Sequence, residues 1–177
     1  MIKFRKIIFF ASVGIILILI GIFIISNKKE VVQVVYSPIP STSSISTPGK
    51  QVTYAEVTRV IDGDTIVIDT GWHVRYIGMN TPEMETNECF ATEASEMNKN
   101  LVLGKTVKME RDVSETDKYG RLLRYVYIGD IFVDDELVKE GFAKIETVPP
   151  DERYKNQFLE SEKYAKENSL GLWSKCF

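Results

Sequence analysis

The stretch TYAEVTRVIDGDTIVIDTGWHVRYIGM, Thr53–Met79, sets the fold class. It opens on TYAEVTRVI, which mixes β-branched and polar residues and stops at Asp62-Gly63-Asp64, a turn signal. TIVID (Thr65–Asp69) reads as a second strand and Thr70-Gly71 as a second turn. HVRYIGM (His73–Met79) is a third strand with alternation, halted by Asn80-Thr81-Pro82.

Toward the C-terminus, Thr92–Leu103 has helical spacing. Ala94, Met97, Leu101 and Val102 fall near one face, and Gly104 is a stop. KTVKMERD and RLLRYVYI are two more strands, separated by the polar loop Ser114–Gly120. Asp134 is placed to cap a short helix, DELVKE, which Gly141 ends. Asp151–Asn168 is a longer helix with Tyr154, Phe158, Ser161 and Ala165 on one side, and Gly171-Leu172-Trp173 packs the tail. Three strands, a helix and two strands suit a closed or partly closed barrel. The expected class is therefore α+β, mainly β: a five-stranded OB-type barrel with about three helices. Such barrels commonly bind oligonucleotides, but a fold alone does not establish function.

Toward the N-terminus the composition changes. Ile7–Ser26 is a run without a charge, IIFFASVGIILILIGIFIIS. It is long enough to cross a hydrocarbon core of roughly 30 Å as a helix. Lys3, Arg5 and Lys6 precede it, which keeps residues 1–6 in the cytoplasm and sends the rest outside. The run is too long for an ordinary signal peptide and ends in IISNKKE without an A-x-A site, so an uncleaved anchor over 7–26 is expected. A degenerate cleavage site near Gly21 or Ser26 is the alternative, and would release the protein. Residues 27–52, rich in Ser, Thr and Pro, read as a flexible tether to a domain over 53–177. The expected location is the cell membrane, single-pass, with that domain extracellular.

Cys89 and Cys176 both lie beyond the span, and an exported chain tends to pair its thiols. A disulfide between them is expected over two unpaired thiols. Charge excludes one class. Six of the 22 basic residues lie in the first fifty, with one of the 25 acidic ones, leaving 16 against 24 beyond Lys50, a balance of −8. A protein that coats nucleic acid by bulk electrostatics is basic. An enzyme with a local cationic site tolerates an acidic surface.

His73 is the sole histidine, which excludes paired-histidine nucleases and two-histidine zinc sites. What remains is carboxylates and arginines at loop–strand junctions. Gly63 lets Asp62 and Asp64 approach one point, and hard cations take several oxygens. Arg75 sits mid-strand, Asn80-Thr81-Pro82-Glu83 closes that strand, and Asp117-Lys118-Tyr119-Gly120-Arg121 enters the fifth. Each alone is common in an ordinary surface loop.

Together they form a pattern. With VIDGDT at Val60–Thr65, RYIGMNTPE at Arg75–Glu83, DKYGR at Asp117–Arg121 and the closing GLW, the chain resembles the staphylococcal nuclease, or thermonuclease, family from about Thr53 to Trp173. The resemblance implies an OB-type barrel and Ca2+-dependent cleavage of DNA and RNA, leaving a 5′-hydroxyl and a 3′-phosphate. It implies Arg75, Glu83 and Arg121 as catalytic residues. It places the metal on Asp64 and the Thr81 carbonyl, with Asn80 at the usual second aspartate and Asp62 as a compensating ligand. Lys118 and Tyr119 would contact substrate. DNA or RNA and the membrane are the expected partners, with no obligate protein partner.

Three departures stand out. Asn80 offers a carbonyl oxygen but removes a negative charge, which lowers the expected calcium affinity. Ile145–Pro150 contains no tyrosine, so base stacking falls to Tyr119 or Tyr154. The hairpin between Asp64 and Arg75 is short. The competing expectation is a catalytically inactive nuclease-like module that binds or scaffolds at the cell surface. Asn80 and the −8 balance favour it, whereas Arg75, Glu83 and Arg121 together oppose it. An anchored domain for calcium or cell-wall material has no specific support.

Overall fold

A computed structural model describes residues 51–177. The expected anchor, and the tether up to residue 50, lie outside the described residues. Among the described residues no helix is long and apolar enough to cross a membrane. The elements in order are β1 (Val52–Val60), β2 (Thr65–Ile68), β3 (His73–Tyr76), β4 (Gly78–Asn80), α1 (Ala91–Val102), β5 (Thr106–Glu110), β6 (Leu122–Ile128), β7 (Ile131–Phe132), α2 (Val133–Lys139), β8 (Lys144–Glu146), α3 (Lys155–Glu167) and α4 (Leu172–Lys175).

The sheet runs β3-β2-β1-β5-β6-β7, and β3 also pairs with β6, which closes five strands into a barrel. The closing pair is parallel and all the others are antiparallel. One long strand makes closure feasible. The first half of β1 pairs with β5 and the second half with β2. Between them the register slips at Val57/Arg59, a bulge that bends the strand around the barrel. Inward residues fill the interior: Val57, Ile66, Val74, Tyr76, Val107, Met109 and Tyr125 are all buried.

The third strand is shorter than expected. Gly78 has φ +86, and a Cβ there would lie 2.3 Å from the Phe158 ring. Only glycine takes that backbone and lets the ring approach. The chain therefore turns out of the barrel after β3 and forms a separate two-stranded ribbon, β4 with β8.

Three other expectations are corrected. Asp134 does not cap α2. It lies within the first turn, wholly buried, where Oδ2 accepts the Val126 N–H at 2.8 Å. Burial holds its carboxyl well above the usual range. The last long helix starts at Lys155 rather than Asp151, because the Asp151 carboxylate accepts the N–H groups of Val113 and Ser114 at 2.9 and 2.8 Å. Tyr154 packs edge-on to Tyr125 at 4.7 Å within the aromatic core, so it is no base-stacking platform. Cys89 and Cys176 are bonded, with Cα atoms 5.9 Å apart, and tie the tail after α4 to the segment preceding α1.

Candidate active site

Asp64 is the centre. It sits in the β1–β2 turn, only 4 % exposed. A Cβ on Gly63 would lie 2.5 Å from Thr81 Cγ2, so the turn closes on Thr81 only with glycine there. The Asp64 Oδ2 accepts the Thr81 N–H at 2.9 Å and its hydroxyl at 3.1 Å, and pairs with Arg75 Nη1 at 3.1 Å. Oδ1 accepts the Thr65 hydroxyl at 3.1 Å. Asp62 accepts the Asp64 N–H at 3.0 Å, and burial together with the neighbouring Asp64 carboxylate raises its carboxyl to about 6.

Arg75 is held from several directions. Nη1 donates to the carbonyls of Tyr76 and Met79 at 3.1 and 3.0 Å, and Nη2 donates to Asn80 Oδ1 at 2.6 Å. A guanidinium has five N–H donors in a fixed plane, so a carboxylate, two carbonyls and an amide oxygen leave it little freedom. Its side chain is 13 % exposed, enough to meet a ligand. Asn80 is thus turned toward Arg75.

Glu83 follows Thr81 by two residues on an exposed segment without regular structure. Its N–H donates to the Glu88 carboxylate and its carbonyl accepts the Glu88 N–H, both at 3.1 Å. Partial burial and the nearby Asp64 raise the Glu83 carboxyl, while Arg75 and Arg121 oppose them. A carboxylate with a raised affinity for protons suits general-base work.

Arg121 enters from the loop before β6. Its Nε donates to Asp117 at 2.7 Å, and the Asp117 carboxylate also accepts the N–H groups of Tyr119 and Arg121. Burial pulls the Asp117 carboxyl upward, but these bonds prevail and lower it. Arg121 Nη1 also reaches the Thr65 hydroxyl at 3.4 Å, which bonds Asp64. Both arginines are therefore linked to the same buried carboxylate.

Arg75, Lys118, Tyr119 and Arg121 line one cleft of about 500 Å³ together with Glu146, Val148 and Pro149. Tyr119 is 73 % exposed, with Lys118 Nζ 4.9 Å and Arg121 Cζ 5.6 Å from its ring centre. Cations and a stacking ring thus share one cleft, a combination that suits a nucleotide.

For a cation, the donors at this centre are all oxygen: the carboxylates of Asp62 and Asp64 and the carbonyl of Thr81. That set fits a hard ion completed by water and a substrate oxygen. Among the described residues no three His, Cys, Asp or Glu side chains form a ready cluster. The residues would therefore make a weak site rather than a caged one.

One positioning residue was not legible in the sequence. Asn98, on α1, is wholly buried. Its Oδ1 accepts the Tyr76 hydroxyl at 2.9 Å and its Nδ2 donates to the Asp62 carbonyl at 3.1 Å. It ties the barrel wall to the Asp62–Asp64 turn. The only signal was a polar residue on the stripe that also carries Ala94, Leu101 and Val102.

A family described as staphylococcal nuclease homologues matches residues 73–175. The thermonuclease of Staphylococcus intermedius is 37 % identical over 126 residues, covering 67 % of this chain and 75 % of the relative. That of Staphylococcus hyicus is 31 % identical over 170 residues, covering 92 % and 97 %. The endonuclease YncB of Bacillus subtilis is 41 % identical over 135 residues, covering 71 % and 64 %.

Proposed function

The chain belongs to the staphylococcal nuclease family and is a phosphodiester-hydrolysing nuclease, and we propose that it is a calcium-dependent one that acts outside the cell on DNA and RNA. The observation that carries the reading is that Arg75 and Arg121 line a nucleotide-sized cleft and are both tied to the buried Asp64, with Glu83 near enough to feel the charges of all three.

The scissile phosphate sits between Arg75 and Arg121, each offering paired N–H donors to its oxygens. These bonds strengthen as charge gathers on the five-coordinate phosphorus. Glu83 takes a proton from the attacking water, whose oxygen bonds to phosphorus as the P–O5′ bond breaks; the departing 5′-oxygen takes a proton from solvent, leaving a 3′-phosphate and a 5′-hydroxyl. Lys118 and Tyr119 hold the nucleotide in the cleft. Asp64, the Thr81 carbonyl and Asp62 would hold calcium, which when bound acts as a Lewis acid on a phosphate oxygen. Asn80 serves by orienting Arg75. The uncharged run Ile7–Ser26 behind Lys3, Arg5 and Lys6 supports a membrane tether with residues 53–177 outside.

The test incubates the full-length chain in detergent with single-stranded DNA in millimolar calcium, in chelator, and as Arg75→Ala. Cleavage that chelator and the substitution both abolish supports the reading. A folded protein that cleaves in no divalent metal points instead to a binding module. Asn80 and the −8 balance of the domain favour that second reading.

A further inference from the structure

The β4–β8 ribbon joins two hollows. Glu146, opposite Gly78, lines the main cleft, while Lys144, opposite Asn80, lines a smaller hollow of about 220 Å³. Pro82 and Phe177 line that second hollow too. Pro82 stands between Thr81, which bonds Asp64, and Glu83. The segment 80–83 therefore borders this hollow at Pro82 and touches the buried Asp64 at Thr81.

The hollow has its own chemistry. The Trp173 and Phe177 rings stack with centres 5.2 Å apart. Lys144 Nζ lies 4.5 Å from the Phe177 ring, whereas Lys166 Nζ, 4.4 Å from the Trp173 ring, is already paired with Glu162 at 2.6 Å. Phe177 is 74 % exposed. A lone exposed phenylalanine is ordinary. This one is stacked on Trp173 and has the Lys144 ammonium over its ring in an otherwise acidic domain. Its neighbour Cys176 is bonded to Cys89, on the segment that carries Glu83. Glu88 also lines the hollow, where its carboxylate accepts the Glu83 N–H and the Thr86 hydroxyl and so is held toward the 83–88 loop. A ring face beside ammonium groups takes an unpaired base and its phosphate, whatever the base.

We propose that Phe177, Trp173 and Lys144 form a second nucleotide subsite, which stacks an unpaired base of the substrate strand on the side of the scissile phosphate away from the main cleft. The proposal rests on the nuclease reading. The subsite favours single strands and frayed ends, because a paired base has no free face to offer.

Full-length protein and its Phe177→Ala, Phe177→Trp and Lys144→Ala variants are compared on two substrates. One is a single strand of about twelve nucleotides, within the usual span of an OB barrel. The other is a nucleoside p-nitrophenyl phosphodiester, whose single nucleoside fills only the main cleft. For the strand, Phe177→Ala raises KM about tenfold at nearly constant kcat, as loss of one base–aromatic stack would. It leaves the ester unchanged, Phe177→Trp restores the strand KM, and Lys144→Ala raises it and flattens its salt dependence. An unchanged strand KM in Phe177→Ala, or an equal rise for both substrates, overturns the subsite. If wild type cleaves neither substrate, the nuclease reading fails instead. Anisotropy of a labelled strand then decides the subsite, with about tenfold weaker binding by Phe177→Ala expected and equal binding overturning it.

Discussion

Arg75 Nη2 holds the amide oxygen of Asn80 at 2.6 Å, while Nη1 of the same guanidinium lies 3.1 Å from Asp64 Oδ2. One arginine thus bridges a buried carboxylate and a neutral amide. An aspartate at position 80 would keep the bond to Arg75 and add a charge beside Asp64. Asn80→Asp should lower the calcium concentration for half-maximal cleavage by about tenfold, in the direction set by ligand charge. Calcium titration of the initial rate checks this. An unchanged midpoint would mean that position 80 does not face the ion.

Glu83 lies on an exposed segment and contributes little to the core. Glu83→Gln should keep the fold and cut kcat by about 10²–10⁴, the range for a general base. Circular dichroism and turnover on single-stranded DNA read the two effects separately. Wild-type-like rates would remove Glu83 from the mechanism.

Asn98 satisfies the Tyr76 hydroxyl and the Asp62 carbonyl within the core. Asn98→Ala leaves both without that partner and should cost about 1–3 kcal/mol in urea unfolding. It should also weaken calcium activation, because the Asp62–Asp64 turn loses its tie. Loss of stability with an unaltered calcium midpoint would confine Asn98 to the fold.

Asp151 offers a pH test. Burial raises its carboxyl, but the N–H groups of Val113 and Ser114 outweigh this, and the folded pKa lies below the usual value. The unfolded chain therefore binds its proton first as pH falls. The stability it contributes is complete above the unfolded pKa, about 3.9, and is lost as pH drops through the folded value. Asp151→Asn should flatten urea stability over that acid window and lower it at neutral pH. A parallel pH curve for variant and wild type would refute the assignment.

The Cys89–Cys176 bond spans 87 residues. On a chain-entropy account such a loop contributes about 4–5 kcal/mol. Cys89→Ser with Cys176→Ser should lower Tm by roughly 15 °C and raise KM for strands, since the tail carrying Phe177 is released. Differential scanning calorimetry and the two-substrate comparison measure both. A Tm that matches wild type would show that the tail is held by packing alone.

Sequence by itself determined the barrel's five strands, the α1 helix within a residue at each end, and the motifs from which Arg75, Thr81 and, through Thr65, Arg121 reach Asp64. Those features rest on local signals: period-two alternation, glycine turns, and short motifs that carry their chemistry within a few positions. Tertiary structure decided the rest. Only the approach of the Phe158 ring shows why the chain breaks at Gly78 and gives the β4–β8 ribbon. Only the fold sends Asp134 inward to Val126, Asp151 back to the loop at Ser114, and Asn98 onto the Asp62 carbonyl. Each of these polar side chains bonds a backbone group 8 to 37 residues away in sequence. No periodicity encodes such a bond, because its partner is chosen by which surfaces close together once the barrel has formed.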